Sequence, residues 1–131
     1  TSNPKIFADA IEGSADYDGD IRALAKTTGN VTEIYESLAV TDIENAADVL
    51  RPVYDATDGR DGYVSLEVNP HLAHDTEGAI AEARRLWKTV DRPNVFIKIP
   101  ATLQGVPAIE RCLTEGININ VTLLFRCKFL P

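Results

Sequence analysis

The second half of the chain alternates between two hydrophobic periods, and this restricts the possible folds more than any other feature. Apolar residues recur at every second position in the segments 62–68, 94–99 and 116–122, which predicts three β-strands. Between them, residues 76–90 and about 107–115 have the helical period. Strand, helix, strand, helix, strand at this spacing predicts consecutive βαβ units with parallel strands and right-handed crossovers.

The first half of the chain predicts helices. Asn3 precedes Pro4 and suits the N-cap of a first helix, since proline is favoured at the first helical position. Asn30 with Glu33, and Thr41 with Glu44, each match a capping box. We therefore expect separate helices to begin near residues 30 and 41.

The three predicted strands each have one aliphatic face and one face that carries polar groups. Strand alternation places Glu67, Lys98, Asn120 and Thr122 on the polar face, near the carboxyl ends of their strands. An open doubly wound sheet, covered by helices on both faces, would be apolar on both. A (β/α)8 barrel accounts for the pattern, because its aliphatic face meets the helices and its lumen holds the functional groups. The predicted fold class is α/β, with residues 1–131 forming one incomplete TIM-barrel domain with parallel strands.

Lys98 lies within an apolar strand, where an ammonium group is costly to desolvate. Desolvation favours the neutral amine, which attacks a carbonyl to form a Schiff base, an electron sink for cleaving C–C bonds. Glu67 could transfer the necessary protons, and Asn120 and Thr122 could bind substrate hydroxyls. The structural alternative is that Lys98 and Glu67 form a buried ion pair without a chemical role.

A metal site is the rival explanation for C–C bond chemistry. His71 and His74, with Asp75 adjacent, follow the first strand but lack a well-defined ligand set. Residues 55–63 match neither a Walker motif nor the GxGxxG pattern. We therefore expect no metal and no cofactor, with catalysis by side chains alone.

Composition restricts the partners and the compartment. The net charge of −7 disfavours nucleic acid and anionic membranes as partners, because both require a basic surface. No apolar segment has the length of a transmembrane helix. Cys112 and Cys127 do not form a disulfide framework, and this favours a reduced, cytoplasmic protein. The chain contains no methionine, so we expect it to be part of something longer.

Five segments together strongly resemble bacterial transaldolases. They are TSNPKIF (1–7), DGYVSLEVNPHLAHDT (61–76), RLWKTVDRPNVFIKIPAT (85–102), GVPAIE (105–110) and GININVTLLF (116–125). The resemblance covers nearly the whole chain, and the IKIPAT motif between the SLEV and NVTLLF strands is specific. It implies a (β/α)8 barrel enzyme of the pentose phosphate pathway that transfers a dihydroxyacetone unit between sugar phosphates.

The resemblance also implies a role for each matching residue. Lys98 in IKIPAT would form the Schiff base, and Glu67 in SLEV would transfer protons through a water molecule. Asn3 in TSNP and Asn120 in NVT would contact substrate hydroxyls, and Thr122 would help to hold the water. The implied partners are sugar phosphates, with a homo-oligomer possible for the full-length protein.

Some parts of the family pattern have no counterpart in this sequence. The family's first strand, with its acid–base aspartate, would precede Thr1, and the serine and arginine that bind phosphate would follow residue 131. Arg126 replaces the serine that normally follows LLF, and the ending RCKFLP is interpreted as an altered end. About 250 residues form a whole barrel, and an unclosed one exposes strand edges. We therefore hypothesise that this polypeptide alone is poorly stable and weakly active or inactive.

Two alternatives to a transaldolase remain open. A lysine-dependent class I aldolase would release the three-carbon product instead of transferring it. A non-catalytic fragment would keep the sequence signature but bind without turnover.

Overall fold

The computed structural model describes residues 4–124 and contains five α-helices, one 3₁₀ turn and three β-strands in this range. In chain order these are α1 (Pro4–Gly13), α2 (Asp18–Leu24), α3 (Val31–Ala56), β1 (Val64–Glu67), the 3₁₀ turn (Pro70–His74), α4 (Thr76–Val90), β2 (Val95–Pro100), α5 (Gly105–Thr114) and β3 (Ile119–Thr122). Among the described residues, no helix is both long and apolar enough to cross a membrane.

The three strands form one parallel sheet in the order β1-β2-β3. Leu66 pairs with Ile97, and Ile97 pairs with Ile119, so the aliphatic positions of the three strands align. Within residues 4–124, β1 and β3 are the edges of an open sheet. The predicted α/β class with parallel strands is confirmed.

The core lies between the aliphatic face of the sheet and helices α3, α4 and α5. From the sheet it contains Leu66, Val68, Val95, Ile97 and Ile99. From the helices it contains Ile43, Ala47, Ile80, Ala83, Leu86, Val90, Ala108 and Cys112. Burial of this apolar area is the main favourable term in folding. The aliphatic face of the sheet is therefore packed against the helices, and the opposite face carries the polar side chains.

Asn94 joins α3 to the beginning of the sheet. Its side chain is fully buried, and its Nδ2 donates hydrogen bonds to the carbonyl oxygens of Ala47 at 2.7 Å and Gly62 at 2.9 Å. A buried amide needs such partners because an unmatched polar group is costly to desolvate. These bonds hold the start of β1, beside Gly62, against α3.

The second predicted capping box is wrong. Residues 31–56 form one helix, and Thr41 lies inside it with its hydroxyl donating to the carbonyl oxygen of Ser37 at 2.9 Å. Asn30 is the N-cap of this helix, as predicted, and its side chain accepts a hydrogen bond from the amide of Thr32. Capping boxes depend on local pairs that also occur on exposed helix surfaces, which explains the error.

The remaining boundaries differ from the predictions by a few residues. Helix α5 begins at Gly105 and not at Pro107. The first and third strands, Val64–Glu67 and Ile119–Thr122, are shorter than their apolar patterns.

Candidate active site

The register of the sheet brings the predicted polar residues into one row. Glu67 pairs with Lys98, and Lys98 pairs with Asn120, so the three residues lie side by side across β1, β2 and β3. Thr122 pairs with Pro100, two residues beyond Lys98, and therefore shares its face. Four of the five predicted site residues come together at the carboxyl ends of the strands. The fifth, Asn3, lies outside the described residues.

Lys98 and Glu67 form an ion pair. The Lys98 Nζ donates to the Glu67 Oε2 at 3.2 Å. Only 9% of the lysine side chain and 23% of the glutamate side chain are exposed. At this distance a proton can pass between the amine and the carboxylate, or through one water molecule. An amine and a carboxylate at this distance are the groups that nucleophilic attack with general acid–base assistance requires.

Asn120 and Thr122 add hydrogen-bonding groups beside Lys98. The Asn120 Nδ2 donates to the hydroxyl of Ser65 at 3.2 Å, across the central strand. The Thr122 hydroxyl is buried and has no hydrogen-bond partner among the described residues. A buried hydroxyl without a partner is unusual, and a bound water or substrate oxygen would satisfy it.

Glu67 also faces a cavity of about 290 Å³ at the outer side of β1. Its walls include Phe7, Tyr35, Leu66 and Leu86. Burial, and then the negative charge of Glu67, raise the pKa of the Tyr35 hydroxyl. Tyr35 therefore stays a neutral phenol near this carboxylate.

The two histidines lie in and at the end of the 3₁₀ turn that follows β1. Asn69 caps this turn by accepting a hydrogen bond from the amide of His71, and His74 Nδ1 lies 3.4 Å from the side-chain oxygen of Gln104. Across residues 4–124, no group of three or more His, Cys, Asp or Glu side chains could hold a metal ion.

Sequence reasoning did not identify two residues that contact or face the polar row. Ser65 lies two residues before Glu67 on the same face, so strand alternation was a sufficient signal for it. Tyr35, which lies on α3 and is distant in the chain, lines the same cavity as Glu67. No local pattern in the sequence relates the two.

Comparison with known proteins identifies the family to which the chain belongs. The model of the family "Transaldolase/Fructose-6-phosphate aldolase" matches residues 1–129. A transaldolase of Acidothermus cellulolyticus is 60% identical over 128 residues, which are 98% of this chain and 34% of that protein. Transaldolases of Thermobifida fusca and Thiobacillus denitrificans are 59% and 50% identical over 125 residues, or 95% of this chain and 34% and 35% of theirs.

The chain spans about a third of the length of these curated relatives. The family match nevertheless covers nearly all of its own residues, including all three strands and the polar row. The chain therefore belongs to the transaldolase/fructose-6-phosphate aldolase family, and its open three-stranded sheet is part of the TIM barrel of that family.

Proposed function

We propose that the protein to which this chain belongs is a transaldolase that acts through a Schiff base on Lys98. The observation that carries the proposal is the contact of 3.2 Å between Lys98 Nζ and Glu67 Oε2 in a shielded row that also contains Asn120. The proposed substrates are a ketose phosphate donor, sedoheptulose 7-phosphate or fructose 6-phosphate, and an aldose phosphate acceptor. The proposed domain is a barrel of which residues 1–131 form a part.

The reaction begins with a proton transfer inside the ion pair. Glu67, directly or through water, takes a proton from the Lys98 ammonium, and the neutral amine attacks the ketose carbonyl carbon. A C–N bond forms, a proton moves from the nitrogen to the former carbonyl oxygen, and this oxygen leaves as water after a second protonation, by Glu67, so that a protonated imine remains. The low exposure of Lys98 limits competition from bulk water for the amine.

The protonated imine then accepts the electron pair of the C–C bond that breaks, while Glu67, directly or through water, takes the proton of the substrate hydroxyl whose oxygen becomes the aldehyde. The aldose phosphate leaves, and a three-carbon enamine remains on Lys98. This enamine attacks the aldehyde of the acceptor, and water hydrolyses the new imine. Asn120 and Thr122 would hydrogen-bond the substrate hydroxyls and the water, as Asn3 would from outside the described residues. No cofactor enters any of these steps.

The alternative of a class I aldolase has a specific observation in its favour. The description of the matching family includes fructose-6-phosphate aldolase as well as transaldolase. The two activities differ in the fate of the enamine, which is protonated and released in an aldolase but attacks an acceptor in a transaldolase. Cytoplasmic location and assembly of the full-length protein as a homo-oligomer belong to the same proposal.

Borohydride trapping tests the proposal. The chain is incubated with fructose 6-phosphate, reduced with borohydride, and digested for mass spectrometry. We expect a secondary-amine adduct on Lys98 and none on other lysines, because the shielded amine beside Glu67 is the one placed to react. Addition of an aldose phosphate before reduction should discharge the adduct if the enamine is transferred.

The matched control is Lys98→Arg, which keeps the positive charge beside Glu67 but has no free amine. This variant should show no adduct. A folded parent chain that gives no adduct on Lys98 would contradict the Schiff-base role. An adduct that is released equally well with or without an acceptor would favour the aldolase.

A further inference from the structure

The hydroxyl of Thr102 joins the loop that follows β1 to the loop that follows β2. The Oγ1 of Thr102 donates to the carbonyl oxygen of Ala73, in the 3₁₀ turn after β1. The same oxygen accepts a hydrogen bond from the amide of Gly105, the first residue of α5, at 2.8 Å. A threonine hydroxyl can donate once and accept twice, so this side chain serves both loops at once.

The backbone around Thr102 has little freedom to move. A Cβ on Gly105 would lie 1.9 Å from the carbonyl oxygen of Pro100, which means that the start of α5 packs directly on the last residue of β2. Thr76, at the start of α4, adds a second tie between the two loops because its hydroxyl donates to the carbonyl oxygen of Gln104 at 2.8 Å.

The hydrogen bonds of Thr102 lie just beyond the ends of the strands that carry Lys98 and Glu67. Lys98, on β2, lies four residues before Thr102 in the chain, and Glu67, at the end of β1, lies six residues before Ala73. Past Glu67, the backbone bond from Val68 N to Lys98 O, at 3.2 Å, continues the pairing of the two strands. The distance between the carboxyl ends of β1 and β2 therefore depends on this bond and on the hydrogen bonds that Thr102 and Thr76 make between the loops.

We propose that Thr102 is a positioning residue that holds Glu67 against Lys98 by locking the loop after β1 to the start of α5. Its consequence for chemistry rests on the proposed function of Lys98. Displacement of a reacting group by about 1 Å can cost on the order of 100-fold in rate. Loss of the hydroxyl therefore acts on the rate of imine formation rather than on the capture of substrate.

Two measurements on the 131-residue chain test this role. The first, amide hydrogen exchange, needs no substrate. In Thr102→Val, which keeps the shape but removes the hydroxyl, the amide of Val68 should exchange about tenfold faster. The amide of Ile97, which donates to Asn118 O in the β2–β3 pairing, should be unchanged. An equal acceleration at both amides would mean global destabilisation and would overturn the proposal. The proposal would also fail if the Val68 amide exchanged no faster in Thr102→Val than in the parent, or if it were already unprotected in the parent.

The second measurement is the rate of borohydride trapping on Lys98 against the concentration of fructose 6-phosphate. Thr102→Val should lower the maximal rate at least about tenfold with little change in the half-saturating concentration. Thr102→Ser should restore it. Thr114→Val is the control, because within residues 4–124 its exposed hydroxyl bonds only inside α5, to Arg111 O at 2.7 Å.

The two measurements separate failure of the positioning role from failure of the proposed function. If the parent forms no adduct but hydrogen exchange at Val68 is locally faster in Thr102→Val, the Schiff-base proposal is contradicted, while the role of Thr102 in joining the two loops is supported. An adduct that forms equally fast in the parent and in Thr102→Val would refute the positioning role while leaving the Schiff base intact.

Discussion

Lys98 has two roles that can be separated, as a partner in an ion pair and as the proposed nucleophile. Replacement of a shielded ion pair by apolar side chains of similar volume is often neutral or stabilising by about 1–4 kcal/mol, because neither charge must then leave water. The pair beside Asn120 has only 9% and 23% of its side chains exposed, so desolvation is a substantial cost here.

We therefore predict that the double variant Lys98→Met, Glu67→Leu forms no trapped adduct but has a free energy of unfolding equal to or above that of the parent. Lys98→Met alone should be less stable than the double variant, since it leaves the Glu67 carboxylate without the ammonium. Urea denaturation followed by circular dichroism gives the free energies. A loss of more than about 2 kcal/mol in the double variant would instead support the purely structural ion pair.

At the scale of the element, the junction between α3 and β1 depends on one glycine. Gly62 has a φ of +82°, and a Cβ there would lie 2.4 Å from the backbone nitrogen of Tyr54 in α3. The strained backbone and the overlap act together, so any side chain must push β1 away from the helix. This junction also receives the Asn94 hydrogen bond that aligns the start of the sheet.

Gly62→Ala should lower the free energy of unfolding by about 3 kcal/mol, because overlap with backbone cannot be relieved by a rotamer change. Gly19→Ala is the control: Gly19 lies inside α2 with nothing within 4 Å of the added Cβ. This substitution should be neutral or stabilising by up to about 1 kcal/mol. Equal effects of the two substitutions in thermal or urea unfolding would contradict the account.

The elements also show which parts of the fold could be predicted from sequence. Strand alternation sufficed to place Glu67, Lys98 and Asn120 on one face, since a period of two leaves only two choices for each strand. Strand alternation does not predict the register, because the register depends on pairing between strands. In the structure, the register aligns the three residues in one row. The hydrogen bond from Thr102 to Ala73 and the position of Tyr35 beside the cavity that Glu67 lines bring distant segments together, and no local pattern encodes them.

At the scale of the whole molecule, the sheet is open. Within residues 4–124, β1 and β3 each have one neighbouring strand, and the edge strand β3 exposes 39% of Val121. Leu123 and Leu124, just after β3, are 61% and 76% exposed. Strand edges and apolar side chains left in water contribute nothing to the burial that drives folding, and they also favour association between chains.

We accordingly predict that the isolated chain unfolds with a free energy below about 5 kcal/mol, the lower limit for typical domains. Its transaldolase turnover should be weak or absent, because the chain spans only about a third of the length of the curated transaldolases that it matches. Urea denaturation at several protein concentrations measures the stability and reveals association, and a coupled assay with fructose 6-phosphate and an aldose phosphate measures turnover. A concentration-independent, cooperative transition above about 8 kcal/mol would show that three strands and their helices are a self-sufficient unit, contrary to this expectation. Under the proposed mechanism, single-turnover trapping on Lys98 persists even when turnover is absent, since that mechanism forms the imine with Lys98 and Glu67, which the chain already places 3.2 Å apart.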